Sequence, residues 1–285
     1  MSTSGLSPAD EYLRNAAEKY FKKTYQHPPI RRSEAIKPLG WAPSLQIDIH
    51  DYRTVICEMS AEKPYPQMLA LRGHDVMQVQ APICVFSVCP EEEFLKADQQ
   101  KSVKDLVAHG FGLITVDSSG DAMVRHDCIP LVQRVPDAAF QTEIRGLPSK
   151  FRQKTAQCYE NYKKNSVAGV QELSGLVEGI ILQAGRDAIA KTWLTNGQAA
   201  PGKAADTLDN LFNCKQLQNI RAKVAAARGY IDAARNTVSH YPKNKKQAYK
   251  KFNDCRENFI QGLKITKDFR EALRSAALSG DIPKV

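Results

Sequence analysis

The sequence predicts two units of different class. A mixed-sheet α/β unit is expected over residues 1–135 and an antiparallel all-α bundle over 151–285, with a linker at 136–150. Three observations carry this division. Apolar runs before about residue 130 are short and alternating or β-branched, whereas beyond 150 they recur at helical spacing. Pro130, Pro136, Gly146 and Pro148 cluster between the two regions. Charge divides at the same place. Residues 1–140 hold 15 Lys/Arg against 18 Asp/Glu, a balance of −3, and residues 141–285 hold 25 against 13, a balance of +12.

Each element follows from its local pattern. A helix is expected at 9–23. LQIDIHD (45–51) alternates and RTVICEM (53–59) follows after a tight turn, so together they read as a hairpin. Residues 64–80 have mixed helical and loop character. APICVFSVCP (81–90) is β-branched and almost wholly apolar, as a strand buried on both faces would be. Residues 91–110 open with three acids and close at Gly110, which predicts one helix. Residues 111–127 read as strand, Ser-Ser-Gly turn, strand. Beyond the linker, helices are expected at 151–165, 166–194, 206–240 and 246–278. Asn196-Gly197, Pro201-Gly202 and Tyr241-Pro242 supply the breaks.

Composition excludes several classes. With 42% hydrophobic and 25% charged residues among 285, the chain is globular. No apolar run approaches the roughly 18 residues that a membrane span needs, and the polar N-terminal segment has no apolar leader core. A soluble cytoplasmic protein without a membrane partner is expected. The seven cysteines are scattered with no CxxC pair, which points to buried thiols in a reducing compartment. His27, His50, His74, His109 and His126 show no paired ligand spacing, and Trp41 and Trp193 read as core or interface anchors. There is no Gly-rich phosphate loop or dinucleotide fingerprint, and no cofactor is expected.

Chemistry is expected in ARNTVSHYP (234–242). On an ideal helix Ile220, Val224, Ala227, Ile231, Ala234 and Val238 form one apolar stripe, with Arg235 at its border and Asn236 and His240 on the opposite face. Pro242 disfavours helix at Tyr241, so His240 falls at the helix terminus. A guanidinium holds a phosphate in a fork of donors, and an imidazole moves protons near neutral pH, a combination suited to metal-free phosphodiester chemistry. Arg235 and His240 lie about 140° apart on a regular helix. Either the last turn unwinds, or two copies of the segment meet across a symmetric dimer. Just beyond, Lys243, Lys245, Lys246, Lys250 and Lys251 surround Tyr249 and Phe252, an arrangement that draws an RNA backbone and offers rings for stacking.

Arg235-Asn236-x-x-x-His240, late in a core helix of a helical unit, resembles the signature of the HEPN superfamily over roughly residues 151–280. The resemblance implies a helical bundle that dimerises into a metal-independent endoribonuclease leaving a cyclic phosphate. It also implies that Arg235, Asn236 and His240 are the catalytic residues. Family context adds toxin or phage-defence roles, with an antitoxin or regulatory protein as a possible partner. Some members of that family bind RNA without cutting it, and a non-catalytic RNA-binding or regulatory protein is the alternative.

In the first unit, Asp48 and Glu58 on adjacent strands are candidate ligands for a divalent metal. The element order and D48-x₉-E58-x-S60 resemble the restriction-endonuclease-like fold, the PD-(D/E)xK family, over about residues 9–130. The chain departs from that pattern at the lysine, which is Ser60 here, and at the proline, where Ile47 stands. The implied domain is therefore degenerate, with Lys63 the nearest lysine. A metal-dependent DNA nuclease working through Asp48 and Glu58 is the remaining expectation from the residues.

Overall fold

The computed structural model describes residues 6–36, 40–64, 79–199 and 203–283. The expectation for 64–80 falls almost wholly outside them. The chain forms two compact units, Met1–Pro136 with Tyr241–Asn253, and Asp137–His240 with Asp254–Val285.

The first unit is α/β. Helix α1 (Pro8–Thr24) starts where Ser7 Oγ accepts from the Asp10 amide at 3.1 Å. Among the described residues six strands follow: β1 (Ile30–Arg32), β2 (Leu45–Asp48), β3 (Thr54–Met59), β4 (Ile83–Pro90), β5 (Gly112–Val116) and β6 (Ala122–His126). They form one mixed sheet in sequence order. β3, β4 and β5 run parallel, and β1–β2, β2–β3 and β5–β6 pair antiparallel. The period-2 pattern buries both faces. Val55, Cys57, Met59, Cys84, Phe86 and Val88 cluster with Leu13, Ala17 and Phe21 of α1. Ile56, Ile83 and Val85 cluster with Leu106, while Cys89 and Leu113 cluster with Val103.

Two expectations change here. β1 carries one apolar residue and two arginines, too little alternation to announce a strand, and it exists through its pairing with β2. The single helix expected at 91–110 is two, α2 (Glu91–Leu95) and α3 (Gln100–Ala108), separated by extended Lys96 and a 3₁₀ turn. No side chain of α2 is fully buried. Phe94 alone packs against the Cys89, Val103 and Leu113 cluster, too short an apolar stripe to continue the phase of Val103 and Leu106 in α3.

The second unit is helical. The expected linker contains α4 (Asp137–Ile144), whose Phe140 stacks on Tyr159 with ring centres 4.2 Å apart. That burial overrides the Pro and Gly punctuation on either side. α5 (Ser149–Lys164) and α6 (Ser166–Ala190) share Asn165, which ends the first and caps the second by accepting from the Val167 and Ala168 amides. They approach closely because residue 169 is glycine. A Cβ there would sit 2.4 Å from the Tyr162 Cα. The helix expected at 206–240 is α7 (Ala204–Asn213), a 3₁₀ stretch at Lys215–Ile220, and α8 (Arg221–Ser239), broken at extended Cys214. α6 packs against α5, α7 and α8. The last helix, α9 (Lys245–Ser275), gives its first residues to the first unit and the rest to the second. Among the described residues no helix is long and apolar enough to cross a membrane.

Candidate functional site

Helix α8 builds the end of the second unit where chemistry is expected. Val224, Ala227, Tyr230, Ile231 and Ala234 are buried, so the stripe holds but gains Tyr230, while Val238 is only half-buried. Arg235 and Asn236 face solvent. The last turn is secured from within the unit. Thr237 Oγ1 accepts from Asn258 Nδ2 at 2.7 Å, and Ser239 Oγ donates to the Arg235 carbonyl at 2.8 Å. The helix therefore stays regular through Ser239. His240 then leaves it in extended conformation, at φ −100° and ψ 126°. The 140° separation of a continuous helix no longer applies to His240, which is exposed. Arg235 Nη2 donates to Glu178 Oε1 of α6 at 2.9 Å.

The lysine segment belongs to the first unit. Asn244 Oδ1 accepts from the Gln247 amide and Gln247 Oε1 accepts from the Lys243 amide, a reciprocal cap that starts α9. Lys243, Lys246 and Lys250 are exposed. Lys245 is committed elsewhere, because its Nζ donates to Asp48 Oδ1 at 2.5 Å and to Thr54 Oγ1 at 3.2 Å. Lys251 Nζ lies 5.1 Å from the centre of the Tyr241 ring. Tyr249 and Phe252, the rings expected to stack, are half-buried, and the exposed ring is Tyr241. Its only signal in the sequence is its place before Pro242.

Asp48 and Glu58 do not converge. The β2–β3 register pairs Asp48 with Thr54 and Leu45 with Cys57, which puts Glu58 at the opposite end of the hairpin. Four residues of strand separate them, about 13 Å, too far for one ion. Asp48 also accepts from Arg31 Nη2 and Thr54 Oγ1, each at 2.9 Å. Burial opposes its ionisation. Hydrogen bonds from Lys245 and Thr54, with the charges of Lys245 and Arg31, more than offset this and hold its carboxyl below the ordinary value. Glu58 accepts from Trp41 Nε1 at 2.5 Å, from the Ser44 amide at 3.1 Å and from Ser44 Oγ at 2.6 Å. Burial raises its pKa despite those donors. Both carboxylates are thus tied into the fold. Among the described residues no group of three His, Cys, Asp or Glu is placed to hold a metal ion, and all seven cysteines are buried thiols.

No protein-family model, curated protein or solved structure matches the chain.

Proposed function

We propose that the chain is a metal-independent endoribonuclease of HEPN type, acting as a homodimer through Arg235 and His240. The supporting observation is that α8 stops at Ser239, leaving exposed Arg235 and exposed, extended His240 at one helix end. In this reading the His240 imidazole takes the proton of a ribose 2′-hydroxyl, whose oxygen attacks the adjacent phosphorus. The bond from phosphorus to the 5′-oxygen breaks, and the His240 imidazolium of the second copy protonates that oxygen. Arg235 holds the non-bridging oxygens as charge develops, and Asn236 orients the pair. The product is a cyclic phosphate. The first unit is then a restriction-endonuclease-like domain without nuclease chemistry, serving regulation or partner binding, and an antitoxin-controlled or antiviral role in the cytoplasm fits the pairing.

One observation favours a second reading. Arg235 is already engaged by Glu178, as it would be in a protein that binds RNA without cutting it. Incubating the full chain with RNA in EDTA, beside His240→Ala, decides between them. Cleavage that resists EDTA and is lost in His240→Ala is expected. RNA that binds and stays intact would leave the second reading standing.

A further inference from the structure

We propose that Tyr241 and the lysines beside it form a platform on which an unpaired base of single-stranded RNA stacks, its phosphates running along Lys243, Lys246 and Lys250. The choice of RNA rests on the proposed function, while the platform rests on the first unit alone. Tyr241 is 88% exposed, against 68% for Leu95 and 54% for Met123, the next most exposed large apolar side chains among the described residues. Pro242 biases its backbone toward extended conformations and away from helix. Lys251 Nζ, 5.1 Å from the ring centre, sets its orientation from one side. Exposure this high leaves the other face open.

The surroundings say what that face would meet. Residues 241–253 contain no Asp or Glu. Lys245 is held by Asp48, and Lys243, Lys246 and Lys250 remain exposed. Lys246 and Lys250 are four apart on α9 and share a face. An aromatic face beside a row of ammonium groups suits a strand whose bases are unpaired and whose phosphates are evenly spaced. A duplex hides its base faces, and an anionic membrane surface has no ring to stack.

Binding of a labelled oligoadenylate of about twenty nucleotides, longer than the ~4–16 that one single-strand groove engages, tests this by fluorescence anisotropy. The full chain carrying His240→Ala serves as parent, so the RNA stays intact. Tyr241→Ala should weaken binding about 5- to 150-fold, from a stacking contribution of ~1–3 kcal/mol per base, and Tyr241→Phe should restore it. Lys246→Ala should lower the slope of log affinity against log salt by about 0.7. Parent-level binding by Tyr241→Ala overturns the platform. So does equal binding of duplex RNA, or Tyr241-dependent binding of phosphatidylserine vesicles in place of RNA. Equal Tyr241-dependent binding of oligodeoxyadenylate overturns the assignment to RNA. The two proposals fail separately. Tyr241-dependent binding without cleavage by the unsubstituted chain sinks the nuclease alone, and cleavage with Tyr241-independent binding sinks the platform alone.

Discussion

Replacing Arg235 by alanine separates its structural role from its chemical one. Its side chain is 51% exposed and that of its partner Glu178 is 31% exposed, joined by one 2.9 Å contact. Solvent and salt screen such a pair, which contributes about 0.2–1 kcal/mol. In a chain of this size that is a shift of at most ~2–4 °C in melting temperature. A guanidinium that steadies charge developing on a phosphate contributes far more, about 10²–10³ in rate. Arg235→Ala should therefore unfold in urea within ~1 kcal/mol of the parent while RNA cleavage under single-turnover conditions falls at least ~100-fold. Glu178→Gln should show the same small stability change, and the double-mutant cycle should give a coupling of ~0.2–1 kcal/mol that vanishes in concentrated salt. A loss above ~3 kcal/mol, the scale of breaking a buried pair, would make Arg235 structural. Undiminished cleavage would remove it from the mechanism.

Other consequences are testable with the same protein. The Asp48 carboxyl is held below its ordinary value, so its contribution is present above the unfolded pKa and is lost as pH falls through the folded one. Asp48→Asn should be less stable than the parent at neutral pH, with the gap closing in acid, as urea titrations at several pH values will show. Glu58 has the opposite sign. Its pKa is raised, so its contribution is greatest in acid and declines as pH rises through the folded value. Glu58→Ala strands the Trp41 and Ser44 donors, which should cost about 3 kcal/mol by the same titration. Magnesium should leave the melting temperature unchanged, because the register separates Asp48 from Glu58. A rise that Asp48→Asn abolishes would contradict that geometry. Gly169→Ala drives a Cβ to 2.4 Å from the Tyr162 Cα, so α5 and α6 must part, at about 2–3 kcal/mol in chemical denaturation.

Much of the fold is legible from pattern because strands buried on both faces and helices with one apolar stripe leave different periods. β3, β4 and β5 are visible for that reason, and so is the core stripe of α8. Elements owed to tertiary pairing are not. β1 forms against β2 without alternation of its own, and α4 is held by Phe140 on Tyr159 inside a stretch that Pro and Gly mark as a connector. At the candidate site, Arg235 and His240 are readable as residue types at a spacing, and Pro242 already places His240 at the helix terminus, but the tie from Asn258 to Thr237 that secures the last turn through Ser239 is not. The tie between Lys245 and Asp48 spans nearly two hundred positions, and no local pattern announces it. Tyr241 is hidden for a related reason, since an exposed ring and a buried one look alike in sequence.

Helix α9 carries a practical consequence. The backbone crosses between the units at 136/137, at 240/241 and again at 253/254, the last inside an unbroken helix. Neither unit is a continuous stretch, and no single cut releases either one intact. Residues 1–136 expressed alone would lack Lys245, leaving Asp48 with Arg31 and Thr54, while residues 137–285 would carry about two foreign helical turns with their lysines. Dissecting the two requires rejoining the chain in a new order, and limited proteolysis should yield fragments that stay associated after cleavage.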